Sequence, residues 1–192
     1  MAIDFKFRKK AVQKLTPKCG VYVLCDLDNV PIYVGQSSKS IRGRVTRHLT
    51  SARSDIIANR QIDVWEIAYV WTYPVTDRAE IKPLEARLFH FFHPKSELMN
   101  GTHPPKAPRG KPPEPTQIVQ VMADEEMADK KDHAQRLPRQ AAHYAQIVGH
   151  FLAVKNSRQI SRAMDAHFER LKKYHARLLR SATDQPEEEG SD

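Results

Sequence analysis

The chain has 192 residues, enough to bury the core of one or two domains. With 40% hydrophobic residues it is not compositionally disordered, and 31 Lys and Arg against 23 Asp and Glu give a formal charge of +8, which favours a polyanionic partner such as nucleic acid. No run approaches the ~18 to 20 consecutive apolar residues of a membrane span, and Met1-Ala2-Ile3-Asp4-Phe5-Lys6 does not begin a signal peptide, so a cytoplasmic protein with no membrane partner is expected.

In chain order, Cys19 and Cys25 lack the Cys/His companions of a zinc site and read as reduced core thiols. Gly20 to Cys25 and Val30 to Gly35 are short β-rich runs separated by the turn-forming Asp26-Leu27-Asp28-Asn29, the pattern of a hairpin. A turn centred between Leu27 and Asp28 places Tyr22 directly opposite Tyr33 with both rings on one face, and Val21, Val23, Ile32 and Val34 on the other. Ile41 to Ile56 carries Ile41, Val45, Leu49, Ala52 and Ile56 at amphipathic-helix spacing. Arg44 and His48 ride beside that stripe, only ~40° apart around the helix axis.

A third strand is predicted over Ile62 to Tyr73, rich in β-branched and aromatic residues and ended by Pro74. The next helix spans roughly Asp77 to His93, opened by Asp77 with Glu80 three residues on. Pro83 either kinks it or follows a short turn and opens the main helix. Leu84, Leu88, Phe91 and Phe92 form its core stripe, with Glu85 at the margin, where a carboxylate needs a cation or a donor.

Composition then shifts. Thr102 to Gln117 interleaves Pro104, Pro105, Pro108, Pro112, Pro113 and Pro115 with Lys106, Arg109 and Lys111, which predicts an extended linker. Gln117 to Leu137 reads as a connecting helix. Arg139 to Asn156 and a second helix capped by Ser157, with Ile160, Met164, Phe168, Leu171 and Leu178 on one face, form a helical hairpin. Between Arg139 and Arg180 nine Lys and Arg face only Asp165 and Glu169, a net +7, so this segment carries nearly all of the excess charge. It is expected to grip DNA phosphates or to form a homodimer, or else to be a solvated basic face. The expected organisation is a domain over 1–101, a Pro-rich linker over 102–117, a helical accessory segment over 118–182 and an acidic disordered tail over 183–192.

Gly20-Val21-Tyr22, then Tyr33-Val34-Gly35, then an arginine and a histidine four apart on the following helix, then Glu85 and beyond it Asn100, resemble the GIY-YIG nuclease family. The resemblance covers about residues 18–101. It implies an α+β fold with a small three-stranded antiparallel sheet flanked by helices, followed here by the linker and the all-α segment. It further implies a metal-dependent endonuclease that hydrolyses phosphodiester bonds in DNA. RNA stays open as a substrate; the alternative is a non-cleaving nucleic-acid-binding or assembly protein on the same scaffold. Carried over by position, Tyr22 activates the attacking water, Tyr33 and His48 share its cluster, Arg44 neutralises phosphate charge, and Glu85 holds one Mg2+ or Mn2+. A single carboxylate suits such an ion, whose shell water and phosphate oxygens complete. Arg44 lies one residue further from Gly35 than the family spacing implies, which makes Arg42 a rival; helix phase favours Arg44, which pairs with His48 at i, i+4. Lys39, Arg42 and Arg47 are candidate nucleic-acid contacts, and Gly20, Gly35 and Asn100 candidate structural supports.

Overall fold

A computed structural model describes residues 5–50, 61–107, 110–154 and 157–183 of the chain. Helix α1 (Phe5–Val12) leads into the hairpin of β1 (Gly20–Cys25) and β2 (Pro31–Ser37). Helix α2 (Ile41–Thr50), β3 (Tyr69–Pro74) and α3 (Ile81–Phe92) follow. After the Pro-rich run come β4 (Gln117–Gln120), α4 (Asp124–Lys131), α5 (His133–Ala153) and α6 (Arg158–Thr183). The fold is α+β. Its antiparallel sheet has four strands in the order β2-β1-β3-β4, not three, because Gln117–Gln120, expected to be helical, pairs with β3 instead.

β1 runs between two neighbours and all six of its residues are buried. On one face Tyr22, Leu24, Val70 and Val119 pack against Val12 and Leu15 of α1 and its following turn and Ile41, Val45 and Leu49 of α2. On the other, Val21, Val23, Cys25 and Val34 pack against Ile81, Leu88 and Phe89 of α3. Both cysteines are free thiols, Cys25 buried in this second layer.

Local rules explain where the elements depart from the periodicity. The β-rich run from Ile62 begins as a short 3-10 turn, Val64–Glu66, capped by the Asp63 carboxylate accepting from Trp65 N at 3.0 Å; the strand starts only at Tyr69. Asp77 likewise caps a 3-10 turn, Arg78–Glu80, accepting from Ala79 N at 2.8 Å. Helix α3 then begins at Ile81, leaving Pro83 in its first turn, where no amide hydrogen is needed. Phe89 takes the core position, while Phe91 lies under the Lys95 ammonium, 3.5 Å from the ring centre. Helix α2 is described to Thr50; Ala52 and Ile56 of the predicted stripe lie outside the described residues, as do Asn156 and the acidic tail.

Helices α5 and α6 form the expected antiparallel pair, with Arg136 meeting Tyr174 and Tyr144 meeting Phe168. Their inner faces are not the apolar stripe. Phe168 and Leu152 are exposed, and the buried residues of α6 are Ile160, Ala163, Ala166, His167, Arg170 and Tyr174. The helix turns its hydrogen-bonding side inward because an acid cluster waits there. Arg136 donates to Glu66 Oε1 through Nε at 2.8 Å and again through a terminal nitrogen, to Asp28 Oδ2 at 2.6 Å and to the Tyr174 hydroxyl at 3.1 Å. Arg139 reaches Asp63 and Glu66 at 2.6 and 2.9 Å, Arg170 reaches Asp26 at 2.8 Å, and Arg177 reaches Asp28 at 2.8 Å. Of the basic residues counted in the helices, Arg139, Arg170 and Arg177 are therefore paired with acids of residues 26–66, as is Arg136 just before them. Arg136 and Arg177 together hold the Asp28 carboxyl down to about 2 against the opposing effect of burial.

His167 is buried against His143 and Tyr144, ring centres 5.1 and 6.0 Å away, and burial, with His143 and Arg170 nearby, lowers its pKa from 6.5 to about 3. The unfolded chain takes up this proton near pH 6.5 and the fold does not, so stability is lost as pH falls below 6.5, continuing towards 3, by up to ~1.4 kcal/mol per pH unit. His167→Leu is expected to flatten the urea-derived stability profile between pH 6.5 and 4.5. An unchanged slope contradicts the assignment.

Candidate active site

The hairpin register sets the site. Its loop is one residue longer than a two-residue turn: Asp26 N donates to Val30 O at 2.9 Å, Asp26 Oδ1 accepts from Asp28 N and Val30 N at 2.9 Å, and Asn29 takes φ 58°. A bulge between Leu24 and Cys25 adds a second residue, because Leu24 faces Tyr33 while Cys25 faces Pro31. Tyr22 therefore lies opposite Gly35 and not Tyr33, which corrects the expected pairing. A two-residue slip preserves face, so Tyr22 and Tyr33 still share one, ring centres 6.4 Å apart. Ile32, left unopposed by the bulge, joins the Tyr22 layer and not that of Val21 and Val23.

Both motif glycines answer to close approaches. At Gly35 a Cβ would stand 2.4 Å from the Tyr22 ring carbon Cζ and hydroxyl, so the ring crosses β2 over a position that can bear no side chain. Gly20 has φ +146°, and a Cβ there would lie 2.3 Å from Tyr73 O.

The stripe of α2 buries His48, whose Nε2 lies 2.7 Å from the Tyr22 hydroxyl, with ring centres 5.9 Å from Tyr22 and 6.4 Å from Tyr33. Tyr22, Tyr33 and His48 thus form one aromatic cluster, and Arg44 stands one helical turn before His48. Arg42 is engaged elsewhere: its Nε donates to Leu15 O at 2.7 Å, tying α2 to the turn after α1. Lys39 and Arg47 are exposed on the outer side of the α2 region.

Glu85 approaches from α3. It is half-buried and lines a cleft of about 760 Å³ together with Tyr33, Gln36, Lys82 and Asn100. Burial raises its carboxyl pKa and Lys82 opposes the rise, so the cleft wall holds a poorly solvated carboxylate. No group of three or more His, Cys, Asp or Glu among the described residues could hold a metal. Among the described residues that line the cleft Glu85 is the one carboxylate, and with water and phosphate oxygens it would make a hard-oxygen set that fits Mg2+ or Mn2+.

Asn100 supports the outer strand. Its Oδ1 accepts from Val34 N at 3.0 Å and its Nδ2 donates to Val34 O at 2.7 Å, so one side chain satisfies both outward polar groups of an edge residue. Met99 N donates to Ile32 O at 2.8 Å alongside it. This edge is braced from the helices: Arg170 donates to Asp26 Oδ2, Pro31 O and Ser96 Oγ at 2.8, 2.9 and 2.5 Å, and Ser96 Oγ donates to Pro31 O at 2.8 Å.

Sequence reasoning missed two parts of the cleft. The Pro-rich run from Thr102 to Ala107 lines it, anchored where His90 Nε2 meets the carbonyls of Pro104 and Pro105 at 3.1 Å, and Gln159 reaches it from α6. Proline-rich composition signals extension and not where an extended segment lies; Gln159 carried no signal at all. Gln36, next to the Tyr33-Val34-Gly35 motif, was legible only by adjacency.

No helix of the described residues is long and apolar enough to cross a membrane. A search of curated proteins finds no match to the chain. The family model of the GIY-YIG catalytic domain matches residues 18–97, which leaves α1, Asn100 and everything beyond outside the match. The two tyrosine strands, the arginine–histidine helix and the glutamate helix all fall within those limits, and the chain carries a GIY-YIG catalytic domain, the domain of a nuclease family.

Proposed function

We propose that the protein is a metal-dependent endonuclease that hydrolyses phosphodiester bonds in DNA. The observation that carries this reading is the 2.7 Å contact between the Tyr22 hydroxyl and His48 Nε2 beside Tyr33, which also lines the cleft of Glu85. Phosphodiester hydrolysis needs an activated water, neutralised phosphate charge and a stabilised leaving oxygen.

Tyr22 takes the proton of the attacking water, and His48, in contact with the phenol oxygen, accepts or returns the proton that Tyr22 exchanges. Tyr33 holds the ring cluster in place and faces the scissile phosphate from the cleft. Arg44 presents a planar, permanently charged fork to a non-bridging phosphate oxygen, which lysine cannot copy. Glu85 holds the divalent ion, Mg2+ or Mn2+, which when bound supplies Lewis-acid neutralisation of the phosphate. Lys39, Arg42 and Arg47 contact flanking phosphates, and Gly20, Gly35 and Asn100 hold the strands that carry the tyrosines.

The test is incubation with supercoiled, linear, branched and single-stranded DNA, and with RNA, with and without Mg2+ or Mn2+. Wild type is expected to cut DNA only with metal. Glu85→Ala and Arg44→Ala are each expected to slow cutting by at least ~10²-fold with the thermal transition in place. Undiminished cutting by both variants removes the site assignment. Salt-sensitive wild-type binding to DNA without cutting at any metal concentration points to the non-catalytic alternative.

A further inference from the structure

The intrachain ion pairs of the C-terminal helices move the question of how a substrate is held to the other end of the chain. Between Lys6 and Lys18 stand Lys6, Arg8, Lys9, Lys10, Lys14 and Lys18 with no acidic residue among them. Arg8 alone turns inward: it is fully buried and donates to Val64 O at 3.0 Å and Ile67 O at 3.2 Å, pinning α1 to the domain. Asp63 and Glu126 exert their pull on this helix at Arg8. Lys6, Lys9, Lys10, Lys14 and Lys18 are exposed, and among the described residues none lies within ion-pair distance of a carboxylate.

This ridge is fixed to the helix that bears Arg44 and His48. Ile41 N donates to Lys18 O at 2.9 Å, Arg42 N to Thr16 O at 3.1 Å and the Arg42 side chain to Leu15 O at 2.7 Å, so the turn after α1 is bonded to the start of α2. Lys39 and Arg47, also exposed, continue the positive surface along α2. Helix α1 and Lys14 lie outside the matched catalytic domain, whereas Lys18, Lys39 and Arg47 lie within it.

We infer that the exposed lysines of α1 and its following turn form the main grip on a nucleic-acid phosphodiester backbone, while the C-terminal helices act as a brace. The inference rests on the nuclease reading only for the choice of substrate. An anionic membrane is the weaker fit, because the apolar side of α1 (Ala11, Val12, and Leu15 just beyond it) is buried in the core, which leaves only Phe5 and Phe7 of its first turn exposed and no continuous apolar face to insert.

The experiment is a fluorescence-anisotropy titration of the full chain in EDTA, where no cutting occurs, over 50 to 200 mM salt. A DNA duplex, the RNA duplex of the same sequence and vesicles containing phosphatidylserine are the probes. Replacing Lys6, Lys9, Lys10 and Lys14 by Gln together is expected to weaken duplex binding at least ~10-fold at 100 mM salt. The log–log salt slope should shrink by ~0.9 for each DNA phosphate that the variant no longer neutralises. Replacing Lys172, Lys173 and Arg180 by Gln is expected to leave both nearly unchanged. A lysine-dependent slope on either duplex supports the inference, and the tighter duplex identifies the backbone. It is overturned by unaltered binding in the α1 variant, by an equal or larger drop in the C-terminal variant, by no duplex binding in wild type, or by lysine-dependent binding to vesicles alone. Failure of the nuclease reading is separate: it shows as lysine-dependent binding without cutting when Mg2+ or Mn2+ is restored.

Discussion

Gly35→Ala is expected to abolish cutting, by ~10³-fold or more, and to lower stability by ~1–3 kcal/mol, the usual cost of overpacking a filled core. The added methyl would stand 2.4 Å from Cζ and the hydroxyl of Tyr22 and 2.8 Å from Cε2. A long surface side chain would swing aside, but the Tyr22 ring is fully buried and its hydroxyl is held at 2.7 Å from His48 Nε2. It can yield only by breaking that contact or by prising β2 from β1. Either outcome moves the group proposed to activate water, and displacements of about 1 Å are enough to cost orders of magnitude in rate. A double-mutant cycle checks the cause. In a Tyr22→Ala background the alanine at 35 has nothing to strike, so its stability penalty should largely vanish while cutting stays absent. An equal penalty in both backgrounds means that something other than the ring resists the methyl.

Arg136→Ala is expected to destabilise the fold by ~3–5 kcal/mol, measured by urea unfolding at pH 7. Its guanidinium is buried and donates to Glu66, Asp28 and Tyr174, which join the turn before β3, the β1–β2 loop and α6 at one point. Truncation leaves the Glu66 carboxylate buried with Arg139, Gln140 and the Tyr174 hydroxyl as its remaining partners. Burial already raises the Glu66 pKa, and Arg136 is the strongest of the charges that pull it back. Without that arginine the carboxyl rises further above its unfolded value, so the folded variant binds a proton that the unfolded chain does not. The deficit should therefore shrink as pH falls from 7 towards 5. A change below ~1 kcal/mol, or a deficit that does not depend on pH, shows that the helices dock by other means.

The candidate site was largely legible because its parts are local. Tyr22 and Tyr33 share a face by strand parity alone, and that parity survived an error of two residues in register. Arg44 and His48 meet at i, i+4 on any helix. Glu85 was marked by a carboxylate at the edge of an apolar stripe. Asn100 was expected to be a support, and it carries both backbone bonds of Val34. The register itself was not legible, since a single bulge residue, Ile32, is invisible to an alternation pattern.

The C-terminal half shows the limit from the other side. Apolar periodicity located helices α5 and α6 but pointed Phe168 inward, whereas the structure exposes it and buries Arg170, His167 and Tyr174. Gln117–Gln120 has too few residues to declare itself a strand until β3 offers it an edge. By itself the sequence determined the order of the motifs, the periods of the elements and the total charge, because these depend on neighbours along the chain. Only the tertiary structure decided which charges stay free. Asp26, Asp28, Asp63 and Glu66 lie far in sequence from Arg136, Arg139, Arg170 and Arg177, and once folding brings them together these four arginines are paired while the lysines of α1 remain exposed.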